Sequence, residues 1–385
     1  MLHFYLEPGK AKESVKQRNL NIEVLRIIAM FLIVACHATL HLPWLLHVDS
    51  NLDFLPGWKS ALAYAVVQYG QVGVSIFFII SGYFLVRKAF VWQRIFKTWF
   101  QMFCYSFVSL VIVLIVARFV ALPDSIAPLL SGDDFGRTVL WSTVPFIYGS
   151  YWFITAYICL LLLAPFINCL FKYLPRQYMT ALIALLSFFS VWILLGGRTT
   201  PWNNVVYAIL GYVTGGWIRL YWQEVNDKIR TWHLWGIIIF STSLMIIFNH
   251  YAADRTWLAT ILGWPEQIKP GIQILPMLIG AALFILFTKL DMTNIQGFGH
   301  ALVLKTASAT FGIYLIHENT FWYRLIWPSI ANILPFPDSL FSTASTALII
   351  TLVVFVMLGI IAILFDTIFV HPLTKFIVKC VQKWK

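Results

Sequence analysis

Apolar residues recur along this chain in ten runs, each close to the roughly 20 residues a helix needs to cross a hydrocarbon core of about 30 Å. The runs fall at 24–46, 68–86, 99–122, 151–174, 178–196, 203–222, 232–249, 271–289, 306–327 and 343–370. Backbone N–H and C=O groups find no water in hydrocarbon, so a segment of this kind closes its hydrogen bonds internally, as a helix. The expected fold class is therefore an all-α integral membrane protein of about ten transmembrane helices. Of 385 residues, 60% are hydrophobic and only 11% charged, too few to cover a soluble globule of this size. Because the apolar runs extend along the whole length, a soluble catalytic domain on a single anchor is excluded. Three parts are expected: a cytoplasmic N-terminal segment at 1–22, one transmembrane domain at 23–372 and a basic cytoplasmic tail at 373–385.

The net charge of +11 would suggest nucleic acid in a soluble protein, but here the cations sit in short loops between apolar runs. Assigning alternate loops to opposite sides, with the N-terminus inside, puts nineteen Lys and Arg residues inside and seven outside, with Arg26 left within the first run. Cytoplasmic loops carry such an excess, so both termini are expected in the cytoplasm. The first run lacks a small-residue cleavage signal and reads as a retained helix. The five cysteines show no CxxC spacing, and neither a disulfide frame nor a structural metal site is expected. Trp58, Trp141, Trp152, Trp202, Trp257, Trp264 and Trp327 cluster toward the outer side. An interfacial aromatic belt explains them, with a sugar-stacking platform as the alternative.

Ionisable side chains inside apolar helices are costly and mark candidate sites. In the first run, Arg26 and His37 are eleven residues apart, which puts them within roughly 20° of one helix face and about 16 Å apart along the axis. Glu23, three residues before Arg26, is placed to pair with it and orient it. Snorkelling is the competing account of Arg26, and internal packing that of His37. His41 shares the face of His37, but no acidic or thiolate residue accompanies them at ligand spacing, so no metal is expected. In the second run Gly70, Gly73, Phe77 and Ser81 lie near one face, which suits close helix packing or a ligand's approach to the backbone. Arg87, Lys88, Arg94 and Lys97 follow at once, a positive-inside signal that would also suit a phosphate-bearing ligand from the cytoplasm. The ninth run carries Ser308, Tyr314, His317 and Glu318 in an otherwise apolar pattern. Gly211 and Gly215 read as packing alone.

In this order, the residues resemble acyltransferase family 3, integral membrane enzymes that acylate hydroxyls of envelope glycans. The pattern of an Arg, ten residues and a His is similar to Arg26 and His37. An FFxxSGF segment is similar to Phe77, Phe78, Ser81, Gly82 and Tyr83, a basic loop to Arg87 and Arg94, and a late YLIH segment to Tyr314 through His317. The segment Tyr151 to Asn168 is similar to the family's Trp and Pro pattern. Glu23 stands where many members have Asp, the basic loop is thinner, and no fused esterase-like domain is expected after Lys385.

The resemblance implies a bacterial cytoplasmic-membrane enzyme that takes an acyl group, usually acetyl, from cytoplasmic acyl-CoA. The acceptor it implies is an outward-facing hydroxyl of a glycan or lipid-linked saccharide. No tightly bound cofactor and no nucleic acid are expected; acyl-CoA, the acceptor and membrane lipids are the partners. His37 is then the expected base, with His317, Ser81 and Tyr314 orienting it or stabilising the oxyanion, and with Arg26, Arg87 and Arg94 holding the donor phosphates. A transporter or flippase of an envelope precursor is the chief rival, and a non-catalytic sensory module the lesser one.

Overall fold

The computed structural model describes residues 18–42, 57–147, 151–192, 201–253, 272–292, 294–334 and 340–383, and every regular element among them is helical. In chain order these are α1 (Leu20–His41), α2 (Gly57–Leu85), α3 (Trp92–Val116), α4 (Gly132–Thr143), α5 (Trp152–Tyr173), α6 (Arg176–Val191), α7 (Asn204–Val225) and α8 (Thr231–Ala253). They continue with α9 (Ile274–Lys289), α10 (Gly297–His317), α11 (Tyr323–Ile333), α12 (Leu340–Phe365) and α13 (His371–Lys383). Among the described residues, six segments are long and apolar enough to cross a membrane: Leu20–His41, Ala61–Leu85, Trp92–Val116, Trp152–Tyr173, Thr231–His250 and Phe341–Ile377. Arg176–Val191 and Ile274–Lys289 are shorter apolar helices. The chain is a multi-pass helical membrane protein.

Boundaries follow local chemistry that hydropathy does not report. α1 begins at Leu20 because the Asn19 side chain accepts from Ile22 N and caps the first turn. α3 starts at Trp92 and ends at Val116, earlier than the run expected at 99–122. The loop expected at 123–150 contains α4. The run expected at 306–327 is two helices, with α10 ending at His317 and α11 beginning at Tyr323. Asn319 breaks the run, its Oδ1 accepting from Phe321 N at 3.0 Å in a side-chain turn that competes with the helix. After Phe365 a π turn, Asp366–Val370, leads into α13, so most of the tail expected at 373–385 is helical.

Close backbone contact sets the core. α2 runs antiparallel to α1, with Gly70 against Cys36 and Gly73 against Ala29. α2 also crosses α7 at Gly82 and Gly215, where any Cβ would overlap the carbonyls of Tyr212 and Ile79 respectively. Asn168 of α5 secures that crossing: its Nδ2 donates to Leu85 O at 3.0 Å at the end of α2, and its Oδ1 accepts from Tyr212 OH of α7 at 2.8 Å. A cavity of about 560 Å³ lies between α1, α2, α3, α5, α10 and the turn after α12.

Candidate active site

α1 and α10 bring two histidines together. His37 Nδ1 lies 2.8 Å from His317 Nε2, and His317 Nδ1 lies 2.7 Å from Ile313 O. A carbonyl only accepts, so in the neutral pair Nδ1 of His317 carries the proton and its Nε2 is the acceptor. His37 must then donate from Nδ1, where Glu318 Oε1 supplies a second acceptor at 3.4 Å. The Nε2 of His37 is left as a lone-pair nitrogen, without a hydrogen bond among the described residues, on a side chain that lines the cavity.

The end of α10 is anchored so that His317 and Glu318 keep this geometry. Tyr151 OH donates to Leu315 O at 2.8 Å, satisfying a carbonyl of the last turn that the helix leaves open. Asn319 Nδ2 donates to Tyr151 OH at 3.1 Å. Tyr151 and His317 are essentially fully buried. Beyond His37, His41 stacks on Tyr323 with ring centres 5.6 Å apart and on Trp327 at 6.1 Å.

The cavity has a second, charged end, where Arg18 and Arg26 join its lining. Arg26 Nη1 reaches Glu23 Oε1 and Oε2 at 3.3 and 3.4 Å; Glu23 is buried while the Arg26 side chain is 29% exposed. The contact occupies one guanidinium nitrogen and leaves the rest of the fork without a hydrogen bond among the described residues. Ser81 also lines the cavity, with Oγ donating to Phe77 O at 2.8 Å. Ser81 lies eleven residues beyond Gly70 on the antiparallel α2, so it sits about 16 Å from the level of Cys36, with Arg26 rather than with the histidines. Arg87 is exposed, and Arg94 donates to Ala89 O at 2.9 Å in a small neighbouring cleft with Lys88 and Asn168; neither lines the main cavity. Tyr314 does line it, one turn before His317, and its buried hydroxyl lies near the Phe153 backbone without hydrogen-bond geometry.

The family described as an acyltransferase domain matches residues 19–366, nearly the whole length, from the cap of α1 to the π turn after α12. The chain belongs to acyltransferase family 3. No curated protein and no solved structure matches it.

In this acyltransferase the two imidazoles in contact come from helices about 280 residues apart in sequence. Glu318 stood out in the sequence only as a polar interruption, and Arg18 only as one of the inner cations. Gln101 and Asp366, which also line the cavity, carry no local pattern that marks them, since each has its partner on a distant helix. The ligand atoms of His37, His317 and Glu318 lie within 4.8 Å of one another, a set that spacing within the first helix does not reveal. The 2.8 Å between the imidazoles is a hydrogen-bond length, tighter than the roughly 3.3 Å between two nitrogens on one tetrahedral zinc. Among the aromatics expected on the outer side, Trp152 lines the cavity, Trp58 stacks on His250 at 3.8 Å, and Trp327 is fully buried. Trp257 and Trp264 lie outside the described residues.

Proposed function

We propose that this acyltransferase moves an acyl group, acetyl in the simplest case, from cytoplasmic acyl-CoA to a hydroxyl of an envelope glycan or lipid-linked saccharide. The setting is the bacterial cytoplasmic membrane, crossed ten times with both termini inside. The six long apolar helices would be joined by α6, α7, α9 and α10, with α4 and α11 outside the count. The excess of Lys and Arg in alternate loops supports that topology.

The observation that carries the chemistry is the free Nε2 of His37 in a cavity whose other end holds Arg18 and Arg26. The donor enters at the arginine end, where guanidinium groups suit its phosphates, and its narrow arm runs toward His37. His37 Nε2 takes the proton of the acceptor hydroxyl as the oxygen attacks the thioester carbonyl. The imidazolium so formed is held by two acceptors, His317 Nε2 and Glu318. The C–S bond then breaks and His37 returns the proton to the departing thiolate, giving the ester and free thiol. The buried Tyr314 hydroxyl, a turn away, is the nearest candidate donor to the oxyanion. Ser81, level with Arg26, belongs in this account to the wall along the donor arm. Arg87 and Arg94 would meet the donor only outside the cavity, before it enters.

Incubating the purified protein with acetyl-labelled acetyl-CoA and envelope glycan tests this reading. Covalent label on glycan is expected; label recovered only as acetyl-CoA or acetate would overturn it and leave transport as the better account.

A further inference from the structure

Asp366 is a buried carboxylate that the proposed chemistry does not use. It stands on the π turn that follows α12, a helix irregularity frequent at functional sites, and it lines the cavity together with Gln101 of α3. A buried acid in a membrane domain is costly and marks a functional candidate. Its hydrogen bonds come from neutral groups: Gln101 Nε2 at 3.0 Å to Oδ1 and 3.1 Å to Oδ2, and Tyr105 OH at 3.0 Å to Oδ1. Both carboxylate oxygens face the same amide nitrogen, Gln101 Nε2, the geometry of an acceptor pair on one NH2 donor. The other amide atom, Oε1, makes no hydrogen bond among the described residues and is the one left for a molecule in the cavity.

The position along the cavity narrows what that molecule presents. α3 and α10 run side by side in the same sense, with Tyr105 against Gly312 and Ser109 accepting from Trp322. Gly312, five residues before His317, meets the Tyr105 hydroxyl, which also donates to Asp366 Oδ1, so the Asp366–Gln101 pair lies about 8 Å below the level of His317 at about 1.5 Å per residue. That is partway from the reacting carbonyl to the arginines, where an acyl-CoA arm carries secondary amides. We propose that Gln101, oriented by Asp366, binds an amide N–H of the acyl donor's arm through Oε1. Gln101 is a donor-binding residue on this account, and Asp366 is a positioning residue that acts through it. The inference rests on acyl-CoA being the donor.

The test compares acetyl-CoA with an acetyl-CoA analogue whose arm amides are replaced by esters, which keeps the shape and removes the N–H groups. Purified wild type, Gln101→Met and Asp366→Asn are assayed for kcat/KM with both donors. Wild type is expected to favour the amide donor by about 10-fold or more, because the ester leaves Oε1 unpaired. Gln101→Met should lose activity with acetyl-CoA and bring the ratio close to one. Asp366→Asn, whose amide can both donate and accept, should give an intermediate ratio with Gln101 still present. A ratio compares donors on the same preparation, so a reduced folded fraction cancels; if Gln101→Met does not accumulate, the Asp366→Asn ratio decides. Wild-type discrimination that persists in the variants, or no discrimination in wild type, overturns the proposal while leaving acyl-CoA as donor. A wild type that transfers nothing from acetyl-CoA overturns both.

Discussion

His37 donates from Nδ1 to Nε2 of His317 across 2.8 Å, and this one bond decides which nitrogen of His37 is free to act as a base. His317 is in turn fixed by Ile313 O, so the backbone of α10 sets the tautomer of a residue on α1. In the proposed mechanism two roles are separate: His37 faces the reactants, and His317 holds it.

That separation makes His317→Ala informative. Glu318 would remain beside Nδ1 of His37, so the base would survive with its orientation less defined. A fall in kcat of about 10- to 100-fold is expected, smaller than the loss on removing a general base, usually 10²- to 10⁴-fold. Steady-state kinetics on the purified variant, with little change in donor KM, would bear this out; a donor KM effect alone would not.

Glu318→Gln keeps an acceptor beside Nδ1 of His37 while removing the carboxylate that, in the proposed mechanism, takes up negative charge opposite the imidazolium. Because the pair is partly buried, the charge is worth more than at a surface, and a loss of about 10-fold in kcat is expected. Wild-type kcat in this variant would place the carboxylate outside the mechanism.

At the opposite end, Arg26→Gln should raise the donor KM by about 10-fold, the loss of one charge-assisted contact to phosphate, and leave kcat closer to wild type. Arg26→Lys should recover part of the loss. The reverse pattern, with kcat falling and KM unchanged, would place Arg26 in the chemistry instead.

Gly215→Ala tests the α2–α7 crossing, since its Cβ would overlap the Ile79 carbonyl and the helices would have to part. Overpacking of this kind costs about 1–3 kcal/mol, so a lower thermal midpoint in detergent is expected, without a selective change in KM. An unchanged midpoint would show that the crossing has slack.

What could be read from the sequence follows the range of the interactions involved. The Arg26 and His37 face depends on helical period alone, and both residues line one cavity. Gly211 and Gly215 at a tight crossing likewise follow from local spacing. The ninth apolar run extends through Phe321 and Trp322 because both are apolar, whereas the break comes from the Asn319 side chain competing for backbone. Arg87 and Arg94 follow Ser81 closely in the chain, but the turn after α2 carries them away from the cavity wall. The contacts of Glu318 with His37 and of Asp366 with Gln101 span more than 260 residues and have no local periodicity to announce them.

In the proposed mechanism an acyl group enters at the arginine end and leaves on a hydroxyl at the His37 end. Sealed proteoliposomes of defined orientation probe this transfer, with labelled acetyl-CoA on the side of the N-terminus and envelope glycan only on the other. Labelled glycan is expected with wild type, and a loss of about 10²-fold or more with His37→Ala at equal protein content. Near-normal transfer by His37→Ala, or transfer only when donor and glycan share one side, would contradict it.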